Sequence, residues 1–104
     1  MSKYRNKKVI LDGITFDSIK ESTVYSELKL RKQAGDINGF ERQVSYELIP
    51  KQNGERAVIY KADFVVTDGD GTTTVIDVKG VKTRDYIIKR KLMLYIHKIR
   101  IKEV

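Results

Sequence analysis

Tyr60-Lys61-Ala62-Asp63-Phe64-Val65-Val66-Thr67, the turn Asp68-Gly69-Asp70-Gly71, and Thr73-Thr74-Val75-Ile76-Asp77-Val78-Lys79 form the stretch on which the fold turns. Two runs rich in β-branched and aromatic residues flank a strong turn signal, which reads as a hairpin. If it is centred on Asp70, position 63 lies opposite 77 and position 61 opposite 79. Alternate strand residues share a face, so Asp77 and Lys79 point one way and Val78 points into a core. Facing carboxylates repel, and a cation between them relieves the repulsion. Oxygen ligands from two carboxylates suit Mg2+ or Mn2+. Lys79 then sits where it can stabilise the charge of a reacting phosphate. The polar face of an ordinary strand would show the same tripeptide. Asp63, Gly80 and the helix upstream favour the chemical reading.

Outward from this hairpin, Val9–Leu11 and Ile14–Phe16 flank Asp12-Gly13 as a very short hairpin or extended lead-in. From Ser18 to Ala34, apolar residues at Ile19, Val24, Tyr25, Leu28 and Leu30 suit one amphipathic helix. Ser18-Ile19-Lys20-Glu21 matches a capping box and Gly35 supplies the stop. A strand is expected over Phe40–Ile49, ended by Pro50, with a loop at Lys51–Arg56. Thr83 caps a second helix running to about Ile96, and Ile99, Ile101 and Val104 make a short closing strand. Three meandering strands, a crossover helix and a further strand imply a mixed sheet with a helix on each side. Asp68 and Asp70 read as turn residues, since the later positions of a calcium loop are missing.

The 104 residues fit one small domain with one core. With no Cys, neither a disulfide framework nor a thiolate site is available. No apolar run approaches a membrane span and no signal-peptide core follows the basic start, so a soluble cytoplasmic protein is expected. Net charge is +7, and its distribution is uneven. Residues 79–104 hold nine Lys or Arg against two acids, residues 1–8 hold four basic residues and no acid, and residues 9–78 carry a net −4. Acidic residues bordered by basic segments are what a phosphodiester-cutting site needs, carboxylates for the cation and Lys or Arg for the backbone. A solvated basic helix and tail is the plainer account of the same charges. Lys89 and Lys91 on the second helix suit phosphate contact, Lys89 more so because it lies near the helix start. Glu21 lies at the edge of the buried face of the first helix, where it serves the capping box, a site, or both. His97, the only His, is placed near a helix C-terminus, where a cation is favourable, and is given no catalytic role.

Glu21 on the first helix, Asp63 on a strand and Asp77-Val78-Lys79 on the next together resemble the PD-(D/E)XK nuclease superfamily, whose core is α-β-β-β-α-β. The resemblance spans roughly residues 17–104. More narrowly, the chain is similar to small phage- and prophage-encoded endonuclease-like proteins related to Holliday junction resolvases. That likeness is carried by Phe16-Asp17-Ser18, Gly39-Phe40-Glu41-Arg42-Gln43, Tyr60-Lys61-Ala62-Asp63-Phe64, and Asp77-Val78-Lys79-Gly80 followed by Thr83 and Tyr86. Ala62 stands where the motif's name has Pro, a position that varies in such enzymes.

The resemblance implies an α/β (α+β) fold of the restriction-endonuclease type, one domain over residues 1–104, with a mixed central sheet flanked by helices. It implies a Mg2+- or Mn2+-dependent DNA endonuclease acting on duplex or branched DNA such as Holliday junctions, phage or prophage encoded, in a bacterial host cell. Asp63 and Asp77 would hold one or two metal ions, with the backbone carbonyl of Val78 as a further ligand. Glu21 would bind a second metal or orient a water. Lys79 would position or help deprotonate the attacking water, or stabilise the pentavalent phosphate. Gln43, Lys82, Arg84, Lys89, Arg90 and Lys91 are expected to face DNA. Symmetric cutting of two strands implies a homodimer. The alternatives are a non-cleaving DNA-binding module, a nuclease subunit of a larger phage or recombination complex, and an interaction subunit whose basic tail docks an acidic protein.

Overall fold

The computed structural model describes residues 7–79 and 81–104. Gly80 and the basic residues Lys3 and Arg5 lie outside that set. Strands β1 (Val9–Leu11) and β2 (Ile14–Phe16) form a small antiparallel hairpin. Asp12 and Gly13, at φ 54 and 75, make its turn, a conformation that Asp and Gly adopt more readily than other residues. Helix α1 (Ile19–Gln33) starts at Ser18, whose Oγ accepts the Glu21 amide at 3.1 Å. It ends in a Schellman motif: Gly35 N–H donates to the Lys32 carbonyl and Asp36 N–H to the Arg31 carbonyl. The long strand β3 (Ile37–Ile49) follows at once, beginning three residues before the Phe40 that the sequence suggests.

Strand β3 pairs antiparallel with β4 (Val58–Asp68), which pairs antiparallel with β5 (Thr73–Asp77). The β4–β5 register runs through Phe64↔Ile76 and Val65↔Val75. One step further brings Asp63 opposite Asp77, as a turn centred on Asp70 requires. The strand stops at Asp77, however, so Val78 and Lys79 lie just past its end. Helix α2 (Arg84–His97), capped by Thr83 Oγ1, crosses back to β6 (Lys102–Glu103), which lies parallel to β5. The sheet order is β3-β4-β5-β6, a mixed sheet in an α+β fold.

The core has two clusters. One joins Tyr25 and Leu28 of α1 to Phe16, Phe64, Val66 and Ile76; the other joins Tyr86 and Met93 of α2 to Leu48, Tyr60, Ala62, Val75 and Ile101. Neighbours Val75 and Ile76 enter different clusters, so the two helices take opposite faces of β5. Along β4 the buried row passes from the second cluster to the first between Ala62 and Phe64, at Asp63. At that level Gln43 of β3 has φ 54, uncommon for a residue other than glycine.

The apolar stripe expected on α1 is only partly right. Ile19 and Leu30 are 54% and 65% exposed, while the buried positions include Glu21 and Ser22. Helix α1 therefore turns a carboxylate, not only apolar groups, toward the sheet.

Candidate functional site

Asp77 is 2% exposed at the end of β5, and its two oxygens meet different groups. Oδ2 accepts a short hydrogen bond from the Tyr60 hydroxyl. Oδ1 is buried without a hydrogen bond, although Lys79 Nζ stands 3.4 Å away as an ion pair that is not aligned as one. A buried carboxylate oxygen lacking a hydrogen bond is costly unless a charge compensates it. Asp63 Oδ2 accepts the Val78 amide at 2.8 Å, which ties β4 to the chain leaving β5. Burial pushes the Asp63 pKa up to about 6; the Val78 hydrogen bond opposes this, while the charges of Asp77 and Glu21 add to it. The segment is pinned from its other side by Val104, whose amide donates to the Asp77 carbonyl at 3.0 Å and whose carbonyl accepts from Lys79 N–H at 3.2 Å.

Asp63, Asp77, Lys79 and Lys89 share one open cavity of about 400 Å³, together with Tyr60, Lys61, Thr83, Asp85 and Tyr86. Lys79 Nζ lies over the Tyr86 ring, 4.4 Å from its centroid. Lys20, in the first turn of α1, reaches the Lys79 carbonyl at 3.5 Å. Basic side chains from both helices and β4 thus edge an acidic floor, an arrangement suited to a cation below and a polyanion above.

Glu21 stands behind this floor. Its Oε2 accepts from Gln43 Nε2 at 3.4 Å and lies 4.0 Å from an Arg42 guanidinium nitrogen, while Arg42 also stacks over Phe16 at 4.7 Å. Burial raises the Glu21 pKa, with Arg42 opposing. Among the described residues no three His, Asp or Glu side chains converge closely enough to cage a metal as they stand.

The expected phosphate-facing residues divide. Lys89 lines the acidic cavity. Lys82 and Arg90 instead pair with Glu103, at 3.0 and 3.2 Å, and Lys91 and Arg90 line a second cavity with Arg100. Arg84 is exposed at the start of α2. Gln43 is drawn to Glu21. His97 makes a 2.7 Å contact with the Glu47 carbonyl and packs edge-on to Tyr46, a structural placement.

Three residues at the site escape a linear reading of the chain: Tyr60, Tyr86 in its contact with Lys79, and Glu103. Strict alternation puts Tyr60 and Asp63 on opposite faces, and it fails where β4 passes between clusters. A Tyr three residues before the strand Asp was the available signal for the first. Glu103 had none, because only the parallel pairing Asp77↔Glu103 brings it near.

The chain belongs to the family described as "Protein of unknown function (DUF1064)", which matches residues 1–103. No curated protein and no solved structure matches it. No helix among the described residues is long and apolar enough to cross a membrane.

Proposed function

We propose that the chain is a metal-dependent DNA endonuclease that hydrolyses phosphodiester bonds, with Asp63 and Asp77 holding Mg2+ or Mn2+ and Lys79 facing the reacting phosphate. The observation that carries this reading is the buried Asp77 beside the half-buried Asp63 of the adjacent strand, one step beyond the pair Phe64↔Ile76, with Asp77 Oδ1 lacking a hydrogen bond and an ammonium 3.4 Å from it. The donors fit such a cation: two hard oxygen ligands whose mutual repulsion a divalent ion would relieve. When bound, the ion supplies Lewis-acid stabilisation of phosphoryl oxygen charge.

The chain's own groups do the rest. The Val78 amide holds Asp63 Oδ2 and the Tyr60 hydroxyl holds Asp77 Oδ2, so the two Oδ1 atoms are the ones that would hold a cation. Lys79 supplies a positive charge where negative charge grows on the phosphate. Lys20, Lys61 and Lys89 surround the opening and suit backbone phosphates on either side of the reacting one. Glu21, held by Gln43 and Arg42, would orient a water or join a second ion.

The test is incubation of purified protein with supercoiled, linear, flapped and four-way-junction DNA, with Mg2+, with Mn2+ and with chelator. Cleavage requiring the metal and abolished in Asp77→Asn, whose DNA binding persists, is the expected result. Preferential cutting of the junction would identify branched DNA as the substrate. A wild-type protein that cuts none of these substrates overturns the proposal. Binding without cutting would favour a DNA-binding module.

A further inference from the structure

We infer that Tyr86 is a positioning residue for Lys79, with Glu103 fixing its ring, so that the closing strand β6 determines where the ammonium stands beside Asp77. The consequence for cleavage rests on the nuclease reading; the geometry does not.

Lysine at the end of a strand has four side-chain torsions and no intrinsic reason to hold one position. Here its Nζ lies 4.4 Å from the Tyr86 centroid, well inside the range of a cation–π contact. The ring is only 5% exposed, and its hydroxyl donates to Glu103 Oε2 at 2.6 Å. Glu103 in turn is gripped by Lys82 at 3.0 Å and Arg90 at 3.2 Å, and the Tyr86 hydroxyl together with these two donors draws its pKa down to about 2. It is therefore a fixed anion throughout the neutral range. Its place follows from the sheet, because β6 pairs with β5 so that Glu103 is beside Asp77.

The Tyr86 ring does something Asp77 cannot. A carboxylate shared between Lys79 and a metal ion gives up part of its attraction for the ammonium once the metal is bound. The face of a tyrosine holds the ammonium without competing for that carboxylate. Lys79 can thus remain in position in the metal-bound protein.

The experiment combines two readouts on Tyr86→Leu, Tyr86→Phe and Glu103→Gln. The first is the NMR position of the Lys79 ε-methylene, assigned by its loss in Lys79→Arg. An ammonium over a ring face carries an upfield ring-current shift, expected to vanish in Tyr86→Leu and to shrink in both Tyr86→Phe and Glu103→Gln, which keep the ring but lose or weaken the hydrogen bond that fixes it. The second is cleavage at saturating DNA, expected to fall roughly tenfold in Tyr86→Leu, with Mn2+ affinity within a few-fold of wild type and part of the rate retained in Tyr86→Phe, which keeps the ring face but not its tether. If Tyr86→Leu fails to fold, Glu103→Gln decides, since it leaves the ring in the core. An unchanged Lys79 signal in the folded Leu variant, or in Glu103→Gln when the Leu variant does not fold, overturns the inference. So does wild-type cleavage by Tyr86→Leu. A wild-type protein that never cuts overturns the nuclease reading instead, and the Lys79 signal alone then decides the positioning.

Discussion

At the scale of single residues, Lys79 separates a nuclease site from a plain cation site. Two carboxylates suffice to bind a metal, whereas hydrolysis also needs a group that handles the attacking water or the charge growing on phosphate. Lys79→Ala should leave Mn2+ binding within a few-fold of wild type and lower cleavage by roughly 10²-fold or more. Lys79→Arg should rescue poorly in the same assay, because a guanidinium differs in shape and does not give up its proton. An Ala variant cutting near the wild-type rate removes Lys79 from the chemistry. Asp63 makes a second prediction, about pH. Its pKa is raised from 3.8 to about 6, so in metal-free protein the folded state keeps a proton that the unfolded state releases. Its contribution to stability is therefore favourable at low pH and is lost as pH rises from about 4 to about 6. Thermal melts in chelator should show the wild type losing stability relative to Asp63→Asn across that window. A difference that stays constant with pH contradicts the burial argument.

At the scale of elements, short caps and turns fix where the chemistry sits. Thr83 Oγ1 accepts the Tyr86 amide at 3.1 Å, so the cap of α2 also sets the ring that underlies Lys79. Thr83→Ala should cost about 1 kcal/mol of stability, measured by denaturant unfolding, and Thr83→Ser should restore most of it. The β4–β5 turn works similarly: Thr72 N–H donates to Asp70 Oδ1 at 2.9 Å and Gly71 N–H to the Asp68 carbonyl at 2.9 Å, closing the hairpin that sets Asp63 across from Asp77. Strand β3 is the strained element. Gln43 adopts φ 54 at the level of the acid pair and sends its side chain to Glu21, so the irregular backbone coincides with the point where helix and sheet meet at the site.

At the scale of the whole molecule, charge is segregated rather than merely positive. The ammonium groups of Lys20, Lys61, Lys79 and Lys89 gather round the acid pair of Asp63 and Asp77, while Lys82 and Arg90 share the Glu103 carboxylate. If each of these four lysines meets one phosphate, log K for DNA should fall with log salt at a slope of about −3 to −4. Fluorescence anisotropy in chelator measures this without cleavage. Lys89→Ala should make the slope shallower by roughly one, whereas Lys82→Ala should change it little. Affinity that does not respond to salt would mean that this surface does not track a phosphate backbone.

The order of elements, both helix caps and the Asp63–Asp77 register were readable from the sequence, because each depends on residues close together in the chain. A turn centred on Asp70 fixes its hairpin register locally, and Ser18 and Thr83 satisfy helix amides three residues away. Other features depended on where distant segments meet. The apolar spacing of α1 did not reveal that Glu21 and Ser22 are buried while Ile19 and Leu30 are exposed, since a helix's buried face is chosen by what packs on it. Strand alternation hid Tyr60 from Asp77, because it assumes a regular strand and β4 changes clusters at Asp63. The charge count could not distinguish Lys89, which faces the cavity, from Lys82 and Arg90, which are held by an acid one strand away from Asp77. Local hydrogen bonding and turn geometry thus determined the scaffold and the acid pair. The partners of that pair were decided by parallel pairing and helix docking, where contacts join residues far apart in the chain and leave no period in the sequence.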